Sequence, residues 1–356
     1  MILKGPIKVI GCGLIGTSLA MRLSEEGFEI SLQDTDAANL QMAKDLTGAG
    51  SGTQLAELVI VATPPEAVFE VIQSEFSTNP AAVFIDVGGI KSDLLVKVDS
   101  FPDIAKNFIS VHPMAGREIS GPESARADLF ESRAWIISKS EFSSTRSLEL
   151  SRKLGELMGS SIYEIDAVTH DSVVATISHL PQILSSALGA SLAGEDSSHL
   201  NLAGQGLRDV SRLADSDPQL WSSLLTGNAK EVLPKLSALI DQLSKLSKAI
   251  EAQDRDLVRD FIVRGRQGRA LIPGKHGMAK RDYTFVPIVI DDKPGGLARI
   301  FNECAAIEVN VEDLSMEHSP GQAVGLITLA LSEIDAIKLQ KHLVSKGWIA
   351  HEPRKH

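Results

Sequence analysis

The stretch that most constrains this chain is "IKVIGCGLIGTSLAMRLSEEG", residues 7–27. A short apolar run meets glycines spaced G-x-G-x-x-G, and a helical pattern follows to a closing glycine. Gly11 permits a tight turn, Gly13 lets the backbone approach a pyrophosphate, and Gly16 lets helix and strand close up. The N–H groups of Leu14 and Ile15 then open a helix whose N-terminus attracts phosphate. The next strand candidate, "FEISLQD", ends at Asp34. A carboxylate there accepts from ribose hydroxyls and favours NAD over NADP, with Asp36 the weaker alternative. "VATPP" (61–65) follows another strand and puts Thr63 and Pro64 at the wall of the same groove, unless it is a plain loop breaker.

The rest of the chain falls into three blocks. Residues 1–165 alternate strand candidates ("ELVIVAT", "AVFIDVG", "NFISVH", "RAWIISK", "SIYEI") with amphipathic stretches, which implies a parallel sheet with helices on both faces. Residues 166–275 show only long helical periodicity, so this block is an all-helical domain whose apolar stripes need another helix, often a second subunit's. "PGKHGMAKRD" (273–282) reads as a linker. Residues 283–356 read strand, helix, strand, strand, helix, strand, the ferredoxin-like βαββαβ order. The expected class is therefore α/β: a Rossmann-type dinucleotide-binding domain, a helical dimerisation domain and a small α/β C-terminal domain.

Ligands of an open α/β sheet bind outside the carboxyl ends of its strands. Two segments end there with polar residues: "FIDVGGIKSDL", with Asp86, Lys91 and Ser92, and "FISVHPMAG", with His112. Taken alone, His112 reads more readily as a satisfied structural histidine than as a catalytic one. His179, in "ATISHLPQILSSAL", lies on an otherwise apolar helix. Pro181 beside it kinks that helix and makes a cleft wall as plausible as a core position. In "GLRDVSRLADSDPQLW", Arg208 and Arg212 are four apart and share a helical face, from which both could reach carboxylates.

Taken together, "GCGLIGTSLA", "DVGGIKSDL", "SVHPMAG", "HDSVVATISHLPQ" and "GLRDVSRLADSDPQLW" resemble the prephenate/arogenate dehydrogenases of tyrosine biosynthesis, in the form with a C-terminal ACT domain. The resemblance runs the length of the chain. It implies NAD-dependent oxidative decarboxylation of prephenate, or of arogenate, in a cytoplasmic homodimer. It makes His112 the catalytic base for the 4-hydroxyl and Arg212 the partner of a substrate carboxylate. His179, Glu118 and Trp221 become pocket residues, Trp221 closing the pocket from its own or the partner subunit. The family often carries a serine after "D-x-G" that orients the histidine; here Gly89 stands there, leaving Ser92, a water or the cofactor to do so. That departure is the one support for a non-catalytic sensor of NAD and an amino acid. Dehydrogenases of β-hydroxyacids or imines fit less well, since "AVTHDSVVATISHLPQ" lacks their usual lysine.

"IDDKPGGLARI" (290–300) resembles the first turn of ACT domains. Asp292, Pro294 and Gly295 are then expected to hold an amino-acid effector, tyrosine being the one the resemblance favours. Composition narrows the field further. A net charge of −11 and only 4 % aromatics argue against nucleic-acid binding. Two cysteines, Cys12 and Cys304, cannot form a zinc site or a disulfide framework. No run of about 18 apolar residues suggests a membrane span, and the apolar start shows no leader pattern.

Overall fold

A computed structural model describes residues 3–50, 55–116, 121–272, 283–291, 293–317 and 324–355. It divides into two compact units, Met1–Ile262 and Val263–His356.

The first unit opens with β1 (Ile7–Ile10), α1 (Leu14–Glu25), β2 (Ile30–Gln33), α2 (Ala37–Thr47), β3 (Leu58–Val61), α3 (Pro65–Thr78) and β4 (Val83–Asp86). It continues with α4 (Ser92–Asp99), α5 (Pro102–Lys106), β5 (Phe108–Pro113), β6 (Ala134–Lys139), α6 (Thr145–Leu157) and β7 (Ser161–Glu164). The seven strands form one sheet in the order β2-β1-β3-β4-β5-β6-β7. Strands β3 and β4 are buried along their whole length, as expected where helices cover both faces. Alternate residues serve opposite cores: Val9, Ile60, Ile85 and Val111 pack on one side, Ile10, Val61, Phe84 and Phe108 on the other.

The sheet departs from the all-parallel expectation at one place. Strand β6 runs antiparallel to β5. The connecting segment carries only a 3₁₀ turn, Pro122–Ser124, among its described residues, so the chain turns back instead of crossing over. The first five strands remain parallel. Their carboxyl ends therefore lie side by side, which brings the Gly11 turn, Thr63, Gly88–Gly89 and His112 to one edge. The chain leaves β1 in opposite directions for β2 and β3, the switch point at which such sheets bind ligands.

The remainder of the unit is helical: α7 (Ala167–Val174), a π-helical turn (Ala175–His179), α8 (Leu180–Ser191), α9 (Ser197–Leu200), α10 (Gln205–Ser211), a 3₁₀ turn (Arg212–Asp215), α11 (Pro218–Gly227), α12 (Ala229–Glu251) and α13 (Arg255–Ala270), the last running past the division between the units. The kink expected beside His179 takes the form of the π turn. Pro181 has no N–H to offer the preceding turn, so the hydrogen-bond ladder loosens there. By length and composition alone, Ala167–Ser191 is apolar enough to cross a membrane. Its Val168, Val173, Ile177 and Leu184 are exposed, whereas His170, Asp171, His179 and Gln182 are buried.

The second unit holds β8 (Thr284–Asp291), α14 (Gly296–Ala306), β9 (Asp313–Glu317), β10 (Val324–Leu331), α15 (Glu333–Ser345), β11 (Ile349–Ala350) and β12 (Arg354–Lys355). The sheet is antiparallel, in the order β11-β8-β10-β9, with β12 also on β8. This is the βαββαβ order read from the sequence, plus one short strand. Val286, Ile288 and Ile290 alternate inward along β8 and pack with Ile300, Cys304, Leu339 and Leu343. The linker at 273–282 lies outside the described residues.

Candidate active site

The glycine turn separates its three glycines by what surrounds them. Gly11 has φ +98°, and a Cβ there would lie 2.4 Å from the Ala62 carbonyl oxygen. A Cβ on Gly16 would lie 1.9 Å from the Gly11 carbonyl oxygen. A Cβ on Gly13 would meet nothing within 4 Å. The first two glycines are thus required by the protein's own backbone, and the third faces open space. Gly13 also caps α1 without any side-chain hydrogen bond, so the first N–H groups of the helix, at Leu14 and Ile15, are left for a ligand. Across the turn, Thr63 Oγ1 is buried without a partner among the described residues, and Pro64 leads into α3. These features fit a dinucleotide phosphate.

Asp34 sits where β2 ends. Its Oδ2 accepts from Cys12 N at 2.5 Å and its Oδ1 from Asp36 N at 2.7 Å, so it braces the turn. Each oxygen keeps a second lone pair for a ribose hydroxyl. The alternative, Asp36, is used as the N-cap of α2, accepting from Ala38 N and Asn39 N. Burial and the Asp34 carboxylate push the Cys12 thiol up to about 11, so this cysteine is a packing group rather than a nucleophile.

His112 is reached by a chain of hydrogen bonds. Its Nδ1 lies 2.8 Å from His170 Nε2, and His170 Nδ1 lies 2.8 Å from Asp171 Oδ1. A carboxylate can only accept, so His170 donates from Nδ1. With one proton on each ring, His170 Nε2 accepts and His112 donates from Nδ1. The chain therefore leaves His112 Nε2 with its lone pair, and that nitrogen has no partner among the described residues. Burial, then His170, Lys91 and His179, hold the His112 imidazole well below its ordinary pKa, so it is neutral near pH 7. Burial works against the Asp171 carboxylate, but hydrogen bonds from His170, Ser92 and Lys91 N keep its pKa below the usual range.

This chain resolves what replaces the serine absent at Gly89. Ser92 does not orient His112; its N–H donates to Asp171 Oδ2 at 2.8 Å, at the far end of the chain. His170 touches His112 instead. A Cβ on Gly89 would lie 3.0 Å from Leu224 Cδ2 and 3.9 Å from His112 Cε1, so Leu224 occupies the space a serine would use.

His179 faces a second set of partners. Asn228 Nδ2 donates to the Asp171 carbonyl at 2.9 Å and lies 3.2 Å from His179 Nδ1. An amide NH₂ only donates, so His179 accepts at Nδ1 and carries its proton on Nε2. Burial lowers its pKa to about 4, and it is a neutral N–H donor. The Trp221 ring meets it edge-on, centroids 5.9 Å apart, within the same chain.

The remaining expected residues are more scattered. Arg212 begins the 3₁₀ turn and is exposed, and Arg208 is exposed one turn earlier on α10. The helix ends between them, so the shared face expected of the pair is not continuous. Glu118 and Asp292 lie outside the described residues. Pro294 and Gly295 are exposed at the start of α14, Gly295 with φ +82°. No group of three His, Cys, Asp or Glu among the described residues is placed to hold a metal ion.

Sequence reasoning missed His170, Asp171 and Asn228 as site residues. Nine α-helical steps of about 100° put residues 170 and 179 on opposite sides of a helix. The π turn between them removes part of that rotation, so both serve one site.

The family described as "Prephenate dehydrogenase, nucleotide-binding domain" matches residues 19–164, and "Prephenate dehydrogenase, dimerization domain" matches 166–263. Together they take in more than half of the chain. The protein belongs to the prephenate dehydrogenase family. A relative from Streptomyces niveus, "Probable prephenate dehydrogenase NovF", is 29 % identical, with 96 % of this chain and 98 % of that protein covered. Among solved structures, Synechocystis arogenate dehydrogenase is 27 % identical, with a TM-score of 0.61 and coverage of 74 % of this chain and 98 % of that one. Prephenate dehydrogenase from A. aeolicus, solved with hydroxyphenyl propionate and NAD+, is 23 % identical and shares the fold, with a TM-score of 0.67 and coverage of 75 % and 98 %. Membership makes the chain an oxidoreductase.

Proposed function

We propose that the protein oxidatively decarboxylates prephenate to 4-hydroxyphenylpyruvate, with NAD+ bound over the Gly11–Gly16 turn. The observation that carries this reading is the Asp171–His170–His112 chain, which presents a neutral Nε2, without a partner among the described residues, at the edge of the sheet that holds the turn. Bound NAD+ supplies the hydride acceptor for C4 of the ring. His112 Nε2 accepts the 4-hydroxyl proton as the carbonyl develops, and the loss of carbon dioxide from C1 aromatises the product. Charge arriving on His112 is shared with His170 and stabilised by Asp171. Arg212 pairs with a substrate carboxylate, and Trp221 closes over the substrate; Glu118 keeps the pocket role that the family resemblance implies.

The keto acid is preferred to arogenate because His179 offers an N–H. A donor suits a keto oxygen and opposes an ammonium. The arogenate reading is the second one, and similarity to the Synechocystis arogenate dehydrogenase keeps it in the test. The sensor reading loses its one support, since His170 takes the place of the missing serine. In this proposal residues 1–165, 166–275 and 283–356 act as cofactor, dimerisation and ACT domains of a cytoplasmic homodimer. The C-terminal domain binds tyrosine, with Asp292, Pro294 and Gly295 as its expected contacts; the βαββαβ order and the positive φ of Gly295 support that reading.

The test is NADH formation with prephenate or arogenate, with NAD+ or NADP+, and with or without tyrosine. Turnover with prephenate and NAD+, abolished in His112→Asn while NADH binding persists, is the expected result. Wild-type turnover by His112→Asn would sink the assignment.

A further inference from the structure

Lys91 is the largest buried charge that the reaction above leaves without a task. It is fully buried, yet every polar atom of it is used. Its Nζ donates to Asp86 Oδ2 at 2.8 Å and to the Val111 carbonyl oxygen at 2.6 Å. Its backbone N–H donates to Asp171 Oδ1 at 2.9 Å. Asp86 is itself held by Ser110 Oγ and by Gly88 N. Val111 immediately precedes His112, and Asp171 is the anchor of the histidine chain. One residue thus grips both ends of that chain, the β5 end through its ammonium and the α7 end through its main chain.

We propose that Lys91 is a positioning residue for His112: its buried ammonium fixes where β5 delivers the imidazole, while its N–H fixes where Asp171 begins the chain that orients it. The proposal rests on the reading of His112 as base. A methionine at 91 keeps the α7 grip, since its backbone N–H remains, and loses only the β5 grip. A charge in this place also acts on the imidazole. Among the described residues, the groups acting on His112 are His170 from α7, His179 from the π turn and Lys91 ahead of α4; Asp171 and Asp86 stand one hydrogen bond further off, behind His170 and Lys91, and the apolar Leu224 from α11 lies across Gly89. Lys91 is the cation among them and favours the neutral ring, alongside burial.

The experiment compares wild type with Lys91→Met and, so that no buried carboxylate is left unpaired, with the Asp86→Asn/Lys91→Met double variant. In both, kcat with prephenate is expected to fall by roughly ten- to a hundredfold, as for a base displaced by about an ångström. KM for prephenate and the Kd for NADH stay within about twofold, because neither ligand touches Lys91. In Lys91→Met the acid limb of kcat/KM moves to higher pH, because removing a cation raises the pKa of the base. A merely structural lysine predicts a lower Tm with an unmoved acid limb and unchanged kcat for the folded fraction. Either that pattern or wild-type kcat in the double variant overturns the proposal. The ring ¹⁵N titration of the His112–His170 pair separates this question from the reaction itself. If prephenate is not turned over at all, the reading of the reaction fails. An upward shift of that titration in Lys91→Met still supports the positioning role, and its absence refutes it.

Discussion

At the residue scale, the three glycines of the first turn do different work, and substitution should separate them. Gly16→Ala forces a Cβ into the Gly11 carbonyl and should cost several kcal/mol of stability, read as a loss of Tm. Gly13→Ala meets open space, so its stability should stay within about 1 kcal/mol of wild type, while NADH affinity falls by about tenfold or more. A Gly13→Ala protein that binds NADH normally would move the phosphates away from α1. The buried histidines make a second prediction. His112 and His179 are held neutral in the folded state, His179 with a pKa of about 4, against about 6.5 in the unfolded chain. The unfolded chain therefore binds more protons below pH 6.5. Stability present above that pH is lost as pH falls, by up to ~1.4 kcal/mol per pH unit for each histidine. Urea unfolding between pH 7.5 and 5 should show the slope, and His179→Gln should flatten it.

At the scale of elements, α11 and the β4–α4 turn are fitted to one another. Leu224 fills the space above Gly89, and Ile90 does the same against Gly227. Restoring serine at 89 therefore cannot simply restore a serine–histidine bond. Gly89→Ser alone should destabilise by about 1–3 kcal/mol through overpacking and lower kcat. Leu224→Ala, added to it, should recover part of both, giving a coupling energy of roughly 1 kcal/mol or more in a double-mutant cycle. Additive effects would mean that the two residues do not share this space. The helix carrying His170 and His179 shows the limit of period counting. Its α-helical register was legible from its apolar spacing, and Pro181 flagged a disturbance. That the disturbance is a π turn, which gathers two histidines at one site, depends on how the helix packs against α12 and α4.

For the whole molecule, the apolar surface of the helices is the feature that one chain leaves open. Leu233, Ile240, Leu243 and Ile250 on α12 recur at heptad-like spacing and are exposed, as are Val173, Ile177 and Leu184 on α7–α8. The match to a dimerisation domain over residues 166–263 supports a second copy as their cover. Sedimentation should give twice the chain mass. Ile240→Glu/Leu243→Glu should give monomers that lose turnover with prephenate. A monomeric wild type would instead leave this stripe to another partner.

The sequence by itself determined the seven strands of the first sheet, the helical block after them, the βαββαβ order at the end, and the identity of His112, His179 and the glycine turn as candidates. These are local properties: periodicity, turn chemistry and residue type are written in short windows. Tertiary structure alone decided that β6 runs antiparallel, that Leu224 stands where a serine would, and that Asn228 sets the proton on His179. It also decided that Lys91 and Asp171, 80 positions apart in the chain, hold one hydrogen-bonded assembly together. No window of sequence contains those pairs. The direction of a hydrogen bond follows from which donor meets which acceptor, and packing of α11 on the β4–α4 turn and of α12 on α7 and the π turn is what makes them meet.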